Sequence, residues 1–247
     1  MKTIILAAGY ATRLYPLTEN FPKPLLQVGE KAILDWLIDD IQASGLVDEY
    51  VVVTNHRFAG IFRDWAAARG GPVAVVDDGT CDNETRLGAV KDIQFAVEAR
   101  DMREDALVIA GDNVLDFSLV PFVRFGAEND CPCVMCYEEN DLARQRRTAV
   151  ITVNGDDIIT SYEEKPETPR GNLAVPPFYF YRARDLRRIP EALAAGCGCD
   201  APGSFAAWLS SQTRMKAWPM LGSRYDIGNL ESYERIRSGW RGPVERL

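Results

Sequence analysis

Leu6-Ala7-Ala8-Gly9-Tyr10-Ala11-Thr12-Arg13-Leu14-Tyr15-Pro16-Leu17-Thr18, with Pro22-Lys23-Pro24-Leu25 close behind, is the stretch on which the fold turns. It follows a short apolar run, Thr3–Leu6, and offers small residues first and two cations afterwards. In an open α/β sheet ligands sit beyond the carboxyl ends of the strands, where small residues let backbone N–H groups come close to a phosphate. Leu6, Ala7, Ala8, Gly9, Ala11 and Thr12 are therefore candidates for a phosphate-holding loop, with Arg13 and Lys23 as the charges that would hold a triphosphate. A plain strand-to-helix turn is the competing reading of the small residues taken alone. Neither a P-loop nor a dinucleotide fingerprint fits, because no Gly-Lys-Ser/Thr follows and the three-glycine spacing is missing.

Outward from this loop, strand-like runs recur at Tyr50–Thr54, Val73–Val76 and Leu107–Ala110, with helical stretches between them. Ile33, Leu34, Leu37, Ile38 and Ile41 repeat at helical spacing and Gly45 stands where a left-handed cap belongs. Phe58–Ala68, Leu87–Ala99 and Leu119–Ala127 fill the other crossovers, each long enough to join parallel strands. The alternation predicts an α/β, doubly wound, mostly parallel sheet. After Cys136 the texture changes: Thr148–Val153, Asn154-Gly155 and Ile158–Glu164 predict a hairpin with a type I′ turn. The sheet is thus expected to be mixed, with an antiparallel region in the second half that also takes in Phe178–Tyr181. Helices are expected at Phe205–Ser211 and Leu230–Ser238, and a tail at Arg241–Leu247.

With 28 basic against 36 acidic side chains the net charge is −8, which disfavours nucleic acid and anionic membranes as partners. A bound phosphate must then find a local cluster of cations. No apolar run approaches the length of a membrane span, and the six cysteines lack a workable metal geometry. Cys133 and Cys136 lie on one strand-like run with opposite parity, so they face opposite ways. Free cysteines without a secretory signal point to a reducing cytoplasm.

The quoted segment resembles the signature of the sugar-1-phosphate nucleotidylyltransferases of the glucose-1-phosphate thymidylyltransferase type, L-A-A-G-x-G-T-R-L-x-P-L-T followed by P-K-P. Ala11 departs from it, standing where that family has glycine. Gly111-Asp112-Asn113, Glu163-Glu164-Lys165-Pro166 and Tyr225-Asp226-Ile227-Gly228 follow in the family's order. The resemblance implies one Rossmann-like nucleotidyltransferase domain over 1–247, with a nucleotide-binding half, 1–136, and an acceptor-binding half, 137–240. It implies Mg²⁺ held by Asp112 and Asp226, and an acceptor phosphate met by Lys165 with Glu164 and Asn113 nearby. Asp226 as the N-cap of the helix near Leu230, Asp112 as a turn residue and Lys165 as a solvated lysine are the competing structural readings. The implied substrates are a nucleoside triphosphate and a phosphorylated small molecule, and self-association is left open. Two anions must meet in such a reaction; unit charges 4 Å apart repel by about 4 kcal/mol at an effective dielectric near 20. Arg13, Lys23, Lys165 and one hard cation would offset that repulsion, and an ionised phosphate nucleophile requires no general base.

In that family the base is read by the loop matching Asp82–Ala89, where thymidylyltransferases place a glutamine and a glycine; here these are Asn83 and Gly88, five apart. A pyrimidine is therefore favoured. The acceptor pocket departs further: Tyr-Gly-Val-Val becomes Thr148-Ala149-Val150-Ile151, and Thr-Gly before an aromatic strand becomes Pro176-Pro177-Phe178-Tyr179. Proline brings no N–H, so a backbone contact to a hexose is lost or replaced. A sugar 1-phosphate is the first expectation. A phosphorylated alcohol or phosphonate of the phosphocholine kind is the alternative, with Trp208, Trp218 or Tyr179 as the platform for a cationic head. A non-catalytic, nucleotide-sensing chain of the same fold is the third. His56, the one histidine, follows a strand end and has either a ligand or a structural role. The chain ends soon after Asp226, so a single activity is expected.

Overall fold

The structure, a computed structural model, describes residues 1–240 and Gly242; Arg241 and residues 243–247, most of the expected tail, lie outside the described residues. Two compact units form. The first comprises Met1–Arg86, Ala110–Pro121 and the described residues from Leu221 onward; the second comprises Leu87–Ile109 and Phe122–Met220.

In the first unit the strands Lys2–Leu6, Glu49–Thr54 and Val73–Asp77 run parallel, with Glu49–Thr54 in the middle. Val51, Val52 and Val53 are fully buried, as a parallel strand covered on both faces requires. Helix Ile33–Gln42 buries Ile33, Leu34, Leu37, Ile38 and Ile41, the five residues whose spacing predicted it, and Gly45 beyond its end has φ 69°. Helix His56–Arg69 begins two residues before the expected start, because Asn55 caps it: its side-chain oxygen accepts the Phe58 N–H at 3.1 Å. Asn113–Leu115 pairs antiparallel with Arg224–Asp226, aligning Asn113 with Asp226. Asn229, not Asp226, caps the helix Leu230–Arg237, accepting the Ser232 N–H at 2.8 Å. The competing reading of Asp226 as an N-cap is thereby removed.

The second unit is mostly antiparallel. Its strands lie in the order Ile159–Glu164, Ala149–Val153, Leu173–Val175, Cys133–Glu138, Phe178–Tyr181 and, up to Ile109, Ala106–Ala110, and Lys216–Pro219 adds a parallel pairing on Cys133–Glu138. The hairpin is present but its turn differs from expectation. The left-handed residue is Asp157, φ 59°, rather than Asn154 or Gly155. Asn154 explains the change, since its side-chain oxygen accepts the N–H groups of both Asp156 and Ile158 at 3.0 Å and opens a longer loop. Helix Ala89–Ala99 starts at Gly88 and helix Gly203–Ser210 packs by Phe205, Ala206 and Leu209. No helix among the described residues is long and apolar enough to cross a membrane.

Candidate active site

The loop after strand Lys2–Leu6 is held by its carbonyls. The buried Asn55 side chain donates to the Ala8 carbonyl at 3.0 Å, and Thr18 Oγ1 donates to the Ala11 carbonyl at 2.8 Å. A trans peptide points its N–H opposite its C=O, so these two bonds aim the N–H groups of Gly9 and Thr12 away from the Asn55 and Thr18 side chains. Gly9 is exposed, and a β-carbon there would meet nothing within 4 Å. The floor is fixed at its other edge by the Gly111 N–H, which donates to the Leu6 carbonyl at 2.9 Å; a β-carbon on Gly111 would press on Ile5 Cγ2 at 2.9 Å. Both amides belong to exposed residues beyond a parallel strand, with exposed Arg13 on the short turn Thr12–Leu14 that follows. Asn55 and Thr18 are positioning residues that sequence reasoning missed.

Ala11, where glycine was expected, lies in the left-handed region at φ 46° and ψ 42°. An L-residue is strained there. Ala11→Gly should raise the unfolding midpoint, equivalent to about 0.5–1 kcal/mol, in a denaturant titration. An unchanged or lower midpoint would contradict that account.

Lys23 sits on the turn Lys23–Leu25 between Pro22 and Leu26, all of them buried. Its Nζ lies 2.7 Å from Asp112 Oδ2 and 3.9 Å from Asp226 Oδ1. The two carboxylates come from different elements, Asp112 from the turn before Asn113–Leu115 and Asp226 from the end of Arg224–Asp226. Asn113, expected beside the acceptor, is instead buried: its side chain donates to the Ala110 carbonyl at 2.8 Å and accepts from Arg224 at 3.1 Å. It holds the turn that presents Asp112. Two oxygen-donor carboxylates converging on one point and open to solvent fit a hard divalent cation whose remaining positions are filled by phosphate oxygens and water. Among the described residues no group of three or more His, Cys, Asp or Glu side chains forms a self-sufficient metal cage. All six cysteines are free.

On the loop following Val73–Asp77, Asp82 accepts the N–H groups of Glu84 and Thr85, and exposed Asn83 receives a hydrogen bond from Arg86 Nη1 on its side-chain oxygen at 2.9 Å. A guanidinium only donates, so the Asn83 amide oxygen is the atom that receives it. His56 Nδ1 lies 2.8 Å from Asp77 Oδ2, a local pair beside the helix start.

In the second unit, Gly88 has φ 90° and precedes Ala89–Ala99, whose Val90 N–H donates to the Cys199 carbonyl at 2.9 Å. Lys165 is exposed just beyond strand Ile159–Glu164, left-handed at φ 48°, with its N–H donated to the Thr148 carbonyl at 3.1 Å. Ala149 is buried and pairs with Glu164 across the hairpin. Glu164 is partly buried, and burial pushes its carboxyl above the usual range against the pull of Lys165. A β-carbon on Gly203 would collide with that carboxylate, so the start of helix Gly203–Ser210 lies directly against it. Pro176 is buried and its carbonyl accepts the Phe178 N–H at 2.7 Å, while Pro177 stays partly exposed.

The aromatic platforms expected for a cationic head are already occupied. Tyr179 is 2% exposed and stacks on Tyr181. Arg188 covers the Trp208 ring at 4.8 Å, and Trp218 packs on Phe125 at 4.6 Å. Because the folded-state pKa of Glu164 is raised, folding disfavours its ionised form. That residue therefore costs stability as pH climbs from the ordinary carboxylate range towards neutrality. Glu164→Gln should melt higher at pH 7 and show a flatter pH dependence; a lower midpoint at pH 7 would overturn this.

Residues 2–239 match the nucleotidyl transferase family. The glucose-1-phosphate adenylyltransferase of Fervidobacterium nodosum is 24% identical over 245 residues, covering 93% of this chain and 59% of its own length. The UTP–glucose-1-phosphate uridylyltransferase AglF of Haloferax volcanii is 30% identical over 182 residues, covering 73% of this chain and 72% of its own. A crystal structure from Bacillus anthracis, assigned as a glucose-1-phosphate thymidylyltransferase in complex with a sucrose, superposes with a TM-score of 0.81 at 22% identity, covering 96% of this chain and 94% of that one. It shares the mixed sheet with flanking helices. The chain thus spans 59% of the length of the adenylyltransferase it matches. The signature loop, the convergent aspartates and this match over nearly all of its length make the chain a member of the nucleotidyl transferase family, alongside sugar-1-phosphate nucleotidyltransferases.

Proposed function

We propose that the chain transfers a nucleotidyl group from a nucleoside triphosphate to a sugar 1-phosphate, releasing pyrophosphate, with Mg²⁺ held by Asp112 and Asp226. The observation that carries this is the convergence of those two carboxylates on the buried Lys23, in the unit whose loop displays the Gly9 and Thr12 amides. The bound metal would draw charge from the triphosphate and hold it against the carboxylates. Gly9 and Thr12 N–H groups bind phosphate oxygens, Arg13 and Lys23 neutralise the charge that builds as pyrophosphate leaves, and Lys165 takes the acceptor phosphate. The nucleophile is an acceptor phosphate oxygen, ionised at neutral pH. The protein's contribution is position and field rather than proton transfer.

Asn83, standing where the thymidylyltransferases place a glutamine, supports a pyrimidine. The relatives named above are adenylyl- and uridylyltransferases, so all bases belong in the test. Pyrophosphate release with Mg²⁺ is measured for CTP, UTP, dTTP, ATP and GTP against sugar 1-phosphates, phosphocholine and aminoethylphosphonate. Release with UTP or dTTP and a hexose 1-phosphate is expected. Phosphocholine is disfavoured by the covered faces of Trp208 and Trp218. Silence with every pair would favour the non-catalytic, nucleotide-sensing reading.

A further inference from the structure

Lys23 does more in this geometry than wait for a phosphate. Its ammonium is bonded to Asp112 at 2.7 Å and stands 3.9 Å from Asp226, in the place where a cation serving both carboxylates would go. The burial is asymmetric, with the Lys23 side chain 9% exposed against 42% for Asp112 and 69% for Asp226. Its chain neighbours Pro22, Pro24 and Leu25 are buried too, so the ammonium, on a side chain only 9% exposed, has little access to water to compensate it when displaced.

We propose that in the free protein Lys23 is the resident counter-ion of the Asp112–Asp226 pair. It excludes a lone divalent cation, so metal is admitted only as a triphosphate arrives to take over the ammonium. This rests on the metal and triphosphate reading given above. A divalent ion entering alone would bind two carboxylates, but it would leave a buried ammonium without an anion, the costly half of a broken ion pair. The same ion arriving with a triphosphate brings the replacement anion and most of its own remaining oxygen ligands. Metal and triphosphate must then tighten each other reciprocally, with Lys23 as the group whose exchange couples them.

The test is Mn²⁺ binding to the nucleotide-free protein, read from the electron paramagnetic resonance signal of the free ion. Lys23→Gln should bind Mn²⁺ at least about tenfold more tightly than wild type, while Lys23→Arg, which keeps the charge, should stay with wild type. Adding Asp112→Asn to Lys23→Gln should remove the gain. Equal affinity in wild type and Lys23→Gln overturns the proposal, as does a gain that survives Asp112→Asn. Wild type supplies a reading that needs no variant. Saturating Mn²⁺ should tighten binding of an α,β-methylene nucleoside triphosphate by about tenfold or more, and no change overturns the coupling. Failure of the nucleotidyl-transfer reading shows elsewhere, as absent pyrophosphate release from wild type with every substrate pair.

Discussion

Asp112→Asn should lower pyrophosphate release by about a thousandfold or more while leaving the protein folded, a loss of roughly 4 kcal/mol of transition-state stabilisation. The size follows from what the carboxylate would do. On the proposed reading, with triphosphate and acceptor both anionic, the metal would be the largest local positive charge, and a neutral amide would bind it far more weakly. Folding is spared because the Asn oxygen still accepts from Lys23, and Asp226 remains within 3.9 Å of the same ammonium. A coupled pyrophosphate assay beside a thermal melt separates the two effects. Near-wild-type turnover in the variant would mean that the metal, if used, is held elsewhere.

Gly88→Ala should cost about 2–4 kcal/mol of stability. Two constraints fall on the same atom. The residue has φ 90°, and its β-carbon would stand 2.6 Å from the Cys199 carbonyl oxygen and 3.1 Å from Asp200 Cα. Neither neighbour is a flexible side chain that could swing aside. Relief requires moving the 199–200 backbone, and with it the bonds from Val90 to Cys199 and from Ala89 to Asp200 at the start of helix Ala89–Ala99. A urea titration measures the loss, and a midpoint within error of wild type would refute it. This packing gives Gly88 a reason to be glycine that is independent of any contact with a base.

The parallel strands and the helix Ile33–Gln42 were legible because apolar residues recur there with a clear period over whole elements. The short strands Asn113–Leu115, Leu173–Val175 and Arg224–Asp226 were not, since three residues carry no period and pairing across 113 positions, Asn113 with Asp226, leaves no local mark. The turn at Asn154-Gly155 was misread because the dipeptide rule weighs backbone preference alone, whereas the Asn154 side chain captured two N–H groups. At the candidate site, Arg13 and Lys23 were legible as the cations that follow a small-residue loop, and Asp112 and Asp226 were named from the family's motif. The resemblance implied that Asp112 and Asp226 share one ion, whereas the Lys23 ammonium lying against both became visible only when the strand Arg224–Asp226 was placed. Asn113 and Tyr179 were assigned to the acceptor by position in a motif, but burial turns both inward.

Asn55 shows how stiffness can be borrowed. One fully buried amide caps helix His56–Arg69 with its oxygen and ties down the Ala8 carbonyl with its nitrogen. The first helical turn and the loop after strand Lys2–Leu6 therefore share one anchoring side chain, so ordering either one favours the position that holds the other. In hydrogen-exchange terms the Phe58 amide would report on the loop, and its protection would grow whenever an anion settles on Gly9 and Thr12. A probe placed on the helix, well away from any ligand, would see the loop being filled.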